Sequence, residues 1–400
     1  MASNNHLQAL QQGKRLVSLD VFRGATIAAM ILVNNPGTWS VIYPPLRHAP
    51  WHGWTVTDLV FPFFLFIVGV SIVLAFTKAM AKGAESSDLV RKTFVRSLII
   101  FGLGLMLAGY PYFSFDPGQI RLYILEPSFG LHKNLVEIRI MGVLQRIAIC
   151  YFVASVMFIY LKPRTLVYSI AGILTAYWAM MMLIPVPGHG AGMIDEPHTN
   201  LIAWLDQLVF ADVHIYRNGP YDPESLFSSL PAVGTTLLGV MAGIILMSGR
   251  DPVEKTARLL LWGFTIAAIG YVWAWFLPIN KPLWTSSYAL LTAGLAMQIF
   301  GICYWLIDVK GYQRFTRPFV VYGVNALTVF YMSGIIARSM NLIQITTDEG
   351  TMSLQRVIFT HAFLPLASDI NASLIYAVTW IVLWYFVLSY MYKKNIIVKV

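Results

Sequence analysis

Residues 57–77 read Thr57-Asp58-Leu59-Val60-Phe61-Pro62-Phe63-Phe64-Leu65-Phe66-Ile67-Val68-Gly69-Val70-Ser71-Ile72-Val73-Leu74-Ala75-Phe76-Thr77. After Asp58 the run carries no charge until Lys78. Its length matches the ~20 residues an α-helix needs to cross the hydrocarbon core of a bilayer. The approach to it is of another kind: Arg47-His48-Ala49-Pro50-Trp51-His52-Gly53-Trp54-Thr55-Val56. An imidazole and a carboxylate therefore stand at the mouth of an apolar segment, where such groups are costly and need a reason.

The same pattern recurs outward from this segment. Hydrophobic residues make up 57% of the chain and charged ones 12%, against about 45–50% and ~25% in soluble domains. Apolar stretches at about 17–35, 57–77, 94–112, 140–161, 165–186, 230–248, 257–277, 285–308, 318–338 and 372–392 predict an all-α polytopic membrane protein. About ten spans would then form a single transmembrane domain over residues 1–400. Lys and Arg concentrate in the pieces that share a side with the N-terminus, among them Lys14, Arg15, Lys78, Lys82, Arg91, Lys92, Arg96, Lys162, Arg164, Arg250, Lys255, Arg258, Lys310, Arg314, Arg317, Lys393, Lys394 and Lys399. The positive-inside bias puts both termini in the cytoplasm. It also accounts for the net charge of +9, which therefore gives no ground for a nucleic-acid partner.

The first span carries Asp20 and Arg23, and no small-residue cleavage site follows, so it does not read as a removable signal peptide. Cys150 and Cys303 both fall within spans, which excludes a disulfide framework and a CxxC metal site. Outward connections are long, at about 36–56, 113–139, 187–229 and 339–371, and rich in aromatic residues such as Trp204, Phe210, Tyr216 and Tyr221. Such loops predict an ordered cap over an outward-opening pocket.

His48 and Asp58 are the base-and-orienter combination that activates a nucleophile. The apolar piece 40–46 predicts a dip of the preceding loop into the membrane, which would carry His48 below the surface; an interfacial aromatic belt is the other reading. His52 lies four residues after His48, but Pro50 and Gly53 oppose the helix that would pair them as metal ligands, so no metal site is expected. Asp20 and Arg23 share a helix face, either as a structural ion pair or with Arg23 free to hold a phosphorylated cofactor. Gln145 and Arg146 lie within the fourth span, and an intramembrane Arg suits phosphate contacts. Gln298 and Asn325 read as interhelical hydrogen-bond partners. Tyr221-Asp222-Pro223-Glu224 reads as a helix start, with Glu224 able to meet a polar or cationic substrate. The Gly188–Gly192 turn lacks the strand–helix context of a phosphate loop.

Several motifs, in consistent order along the chain, resemble the heparan-α-glucosaminide N-acetyltransferase family. They are Ser18-Leu19-Asp20-Val21-Phe22-Arg23-Gly24, Val33-Asn34, His48-Ala49-Pro50-Trp51, Thr55-Val56-Thr57-Asp58-Leu59-Val60-Phe61-Pro62, Arg139-Ile140-Met141-Gly142-Val143-Leu144-Gln145-Arg146, Tyr221-Asp222-Pro223-Glu224, Asn280-Lys281-Pro282-Leu283-Trp284 and Gly323-Val324-Asn325-Ala326. The resemblance implies transfer of acetyl from cytoplasmic acetyl-CoA, a co-substrate, to the amine of a glucosamine-type sugar on the far side. It implies His48, Asp58 and Asn34 as the catalytic group. Arg23, Arg146 and Gln145 are then the candidate donor contacts, and Glu224, Asp222, Trp51 and Lys281 the acceptor contacts. It further implies a bacterial inner-membrane member and a homodimer. His52, Trp54 and Ser225 stand where the family commonly has Asn, Leu and Gly, which leaves the acceptor sugar open. Two other functions remain: an O-acyltransferase of glycans, which shares a similar Asp-x-x-Arg-Gly opening, and a sugar transporter or flippase. Transporters commonly carry inverted repeats, and no repeat is visible here.

Overall fold

The computed structural model describes residues 16–116, 119–122, 138–348 and 350–398, and for 113–122 the backbone alone. Lys14, Arg15, Lys133, Lys399 and most of the 113–139 loop, with the side chains of Phe113, Phe115 and Arg121, lie outside the described residues.

Among the described residues nine helices are long and apolar enough to cross a membrane, and a bent pair makes a tenth span. In order they are Val17–Asn34, Val56–Ala81, Ser86–Gly109, Val143–Tyr160, Pro163–Leu183, Ser229–Met247, Pro252–Trp273, Ser286–Val309, the pair Arg317–Val324 and Ala326–Leu342, and Asp369–Lys393. The chain is an all-α integral membrane protein. Among the described residues the strands form two antiparallel hairpins, Phe113–Asp116 with Gln119–Leu122 and Gln344–Thr347 with Gly350–Ser353. The third span starts at Ser86 rather than near 94, because its first turns, with Asp88, Arg91 and Lys92, are helical yet too polar for an apolar window to register. The expected continuous span 318–338 is instead two helices meeting at 77° around Asn325.

The second span lies at the centre of the bundle, with Leu65, Phe66 and Val70 fully buried. It packs on the sixth where Gly69 and Gly239 face each other: a Cβ on Gly69 would strike the Thr236 carbonyl, and one on Gly239 the Phe66 carbonyl. Gly239 and Gly243 give the small-xxx-small spacing that lets helix backbones approach closely in a bilayer. Gly24 and Gly323 do the same for the first span and Arg317–Val324, which brings Arg23 beside the break in the ninth. The 187–229 connection contains the short helix Leu201–Phe210, which packs with Tyr177, Ile194, Leu277, Leu283 and Trp51 into an apolar cap over one end of the bundle.

Candidate functional site

Asp58 occupies the first turn of the second span and is 1% exposed. A carboxylate there suits the positive end of the helix, and its Oδ2 accepts the backbone N–H groups of Thr55 and Ala49, both at 3.0 Å. Its Oδ1 accepts from His48 Nδ1 at 2.6 Å and from Lys281 Nζ at 3.2 Å. Lys281 Nζ is also 3.0 Å from His48 Nδ1. One ring nitrogen cannot donate to Asp58 and accept from Lys281 at once. The shorter, charge-assisted contact assigns the proton to Nδ1, which leaves the Nε2 lone pair free.

His48 itself is half exposed. The 40–46 piece runs as coil and the short 3₁₀ turn Pro44–Leu46, and His48 is bonded to Asp58 in the first turn of the second span. It is the cavity beside it that reaches into the bundle. This cavity, about 150 Å³, is walled by His48, Asn34, Thr57, Phe61, Phe64, Glu224 and Lys281 together with aliphatic residues of the first, second and fourth spans. Asn34 ends the first span on this wall, and its amide makes no hydrogen bond among the described residues.

Lys281 arrives through pairing between distant loops. Gly53 N–H donates to the Ile279 carbonyl at 2.7 Å, and Asn280 Nδ2 donates to the Trp51 carbonyl at 3.1 Å. Gly53 has φ +95°, a conformation glycine adopts without the Cβ penalty. Trp51 and His52 are used by the cap rather than the cavity. Trp51 Nε1 donates to the Ile194 carbonyl at 2.9 Å and its ring meets Tyr221 edge-on, while His52 Nε2 lies 3.0 Å from Asp195 Oδ1.

A second charged group adjoins the first. Arg139 donates through Nε and Nη2 to Asp222 at 2.8 and 2.5 Å, and through Nη2 also to Glu224. Asp222 does not start a helix; the sixth span begins at Ser229, and Asp222 accepts the Glu224 and Tyr216 N–H groups instead. Glu224 thus reaches the cavity wall while Asp222 supports it from behind. Asp206 accepts the Asp222 N–H at 2.9 Å and the Ser225 hydroxyl at 2.5 Å. Burial pushes its carboxyl up to about 6. Burial also opposes charge on Glu224, but Arg139, Arg146 and Lys281 together outweigh it and hold the carboxyl below its ordinary range. Desolvation lowers Lys281, with Asp58 pulling the other way. Arg146, fully buried, donates to the Ser225 carbonyl at 3.2 Å and to Ser228, and stacks 4.9 Å over Trp284.

A second cavity, about 440 Å³, lies further along the bundle, walled by Arg23, Ser71, Arg96, Tyr151 and Gly323 among others. The two cavities share Phe64, Leu144, Ile147 and Leu327. Arg23 is paired with Asp20 at 3.3 Å and donates to Ser71 at 2.9 Å, so ion pair and cavity wall coexist in one residue. Arg146 and Gln145 line neither cavity; Gln145 fills the space that Gly104 leaves free on the third span. Sequence reasoning singled out neither Arg96 nor Asp206. It also missed Tyr288, whose hydroxyl donates to the Asp58 carbonyl at 2.5 Å.

A profile of the heparan-alpha-glucosaminide N-acetyltransferase catalytic family matches residues 15–272. The heparan-alpha-glucosaminide N-acetyltransferases of Mus musculus and Homo sapiens are each 29% identical to the chain over 366 residues, 79% of this chain. The alignments cover 53% and 52% of those proteins, so the chain spans about half the length of the curated relatives it matches. The matched segment holds His48, Asp58, Arg139 and Glu224, and the chain belongs to the heparan-alpha-glucosaminide N-acetyltransferase catalytic family.

Proposed function

We propose that the protein transfers acetyl from cytoplasmic acetyl-CoA to the amine of a glucosamine-type sugar on the opposite side of the membrane, with His48 as general base. The observation that carries this reading is the His48–Asp58 pair at the mouth of one cavity that abuts a second, guanidinium-bearing cavity across four shared side chains. Acetyl-CoA is multiply anionic, so its nucleotide stays at the inner cavity with Arg23 and Arg96. The pantetheine arm passes Phe64, Leu144, Ile147 and Leu327 to present the thioester near His48.

Nε2 of His48 takes a proton from the amine as its nitrogen attacks the thioester carbonyl. The C–N bond forms, the C–S bond breaks, and the proton held on His48 passes to the departing thiolate. Asp58 keeps the imidazole in the required tautomer and offsets its transient charge, a contribution of about 10²–10⁴ in rate for a positioned base. Asn34, on the same wall, is the candidate donor to the oxyanion, a contact of the kind worth ~2.7–4 kcal/mol.

An amine acceptor is favoured over a hydroxyl by the local charge balance. Asp58, Asp206, Asp222 and Glu224 face Arg139, Arg146 and Lys281, so carboxylates outnumber the cations by one, and Glu224 on the cavity wall attracts the ammonium form, which releases a proton to solvent before the neutral nitrogen attacks. The test is CoA release by the purified protein from acetyl-CoA with and without glucosamine. Amine-dependent release is expected, and its absence with any amino sugar would sink the reading in favour of another acceptor or of transport.

A further inference from the structure

The break at Asn325 has an unexpected partner. A broken helix at membrane depth must find partners for the backbone groups it frees, or line a cavity. Sequence alone assigns Asn325 to a neighbouring helix. Instead, both ends of its amide are taken by the segment that follows the tenth span: Nδ2 donates to the Ile396 carbonyl at 3.0 Å, and Oδ1 accepts the Val398 N–H at 3.0 Å. The tenth span ends at Lys393, and Asn395 turns the chain with φ +56°, a conformation Asn tolerates better than most residues. The turn sends 396–398 back into the break.

There Ile397 and Val398 become wall residues of the inner cavity, beside Arg23, Tyr151 and Gly323. They are 45% and 49% exposed. Half-open aliphatic side chains on a cavity wall gain from being covered by an apolar surface. The gem-dimethyl and methylene groups of the pantetheine arm of an acyl-CoA offer such a surface, next to the guanidinium groups that suit its phosphates.

We propose that segment 396–398, docked through Asn325, is a wall of the donor cavity, and that donor binding and docking of this segment stabilise each other. This rests on the acyl-CoA reading of the inner cavity. Coupling of this kind is reciprocal: the donor slows release of the segment, and releasing the segment weakens the donor. Asn325 is a positioning residue here, since it acts through the segment.

The test uses the full chain with Val398→Cys and Cys303→Ala, Cys150 being buried, and desulfo-CoA as a thiol-free probe. Maleimide labelling of the introduced cysteine should slow several-fold with desulfo-CoA. Asn325→Leu, which removes both contacts, should speed labelling without ligand by about tenfold. In the chain with its native Val398, Asn325→Leu should raise the KM for acetyl-CoA far more than it lowers kcat, and so should removal of residues from 396 onward. Equal labelling rates with and without Asn325 would overturn docking. If Asn325→Leu misfolds, protection of the cysteine by desulfo-CoA in the chain with Asn325 intact decides alone, and its absence with bound probe would overturn the coupling. Failure of the probe to bind at all would overturn the donor reading and the coupling with it. The ligand-free effect of Asn325→Leu on labelling separates that outcome from a failure of docking.

Discussion

The two cavities meet at the same four side chains yet are built in opposite ways. Around the outer one, Asp58 spends its oxygens on Ala49, Thr55, His48 and Lys281, and Arg139 bridges the carboxylates of Asp222 and Glu224. Around the inner one, Arg96 is exposed and lies over the face of Tyr151 at 5.3 Å. A site that must hold a base and an acceptor in one geometry gains from locked rotamers. A site that takes up and releases a long donor gains from cations left in reach of solvent. On the proposed reading, buried and saturated charge accompanies the chemistry, while the inner cavity combines one paired cation, Arg23, with one open to solvent, Arg96.

The sharpest way to break this contrast is His48→Ala. It should cut acetyl transfer by about 10²–10⁴ while thermal stabilisation by CoA is retained; a variant that kept most of its rate would remove His48 from the mechanism. Next comes Arg139→Met, which leaves Asp222 and Glu224 buried without their cation. Loss of about 3–5 kcal/mol is expected, read as a lower unfolding temperature in detergent, and a well-folded variant would show that the outer cluster is not held by charge.

Asp206 gives a pH test of the same region. Its carboxyl is raised from 3.8 to about 6, so between those values the unfolded chain releases a proton that the folded chain keeps. Stability therefore falls as pH rises through that window, by about 2–3 kcal/mol in all, and the cost persists above it. Asp206→Asn should flatten this component of the pH dependence of unfolding; an unchanged slope would assign it elsewhere. The smallest effect belongs to the inner cavity: Arg96→Met should weaken donor binding about tenfold and leave the unfolding temperature unmoved.

Hydropathy made the spans legible, because crossing a bilayer imposes length and composition on each. It could not register the break in the ninth, since Asn325 is one polar residue inside an apolar window. The pair His48 and Asp58 was also legible, ten residues apart at one helix mouth. Lys281 as the third member was not, being 233 residues from His48 and delivered by loop pairing at Gly53 and Asn280. Arg146 shows the limit in the other direction. An intramembrane arginine suggested phosphate, but its position in the first turn of the fourth span sets it among Ser225, Ser228 and Trp284, against the acidic cluster. The capping carboxylate of Thr55-x-x-Asp58 carried a readable signature, and it marks the residue that holds His48 Nδ1 at 2.6 Å.

The most direct test of the account is sidedness. Protein of uniform orientation in sealed vesicles would be given labelled acetyl-CoA at the face bearing the termini and glucosamine only at the His48 face. Labelled N-acetylglucosamine is expected in the compartment that never held acetyl-CoA, and none with His48→Ala. Product formed only when both substrates share one compartment would contradict it.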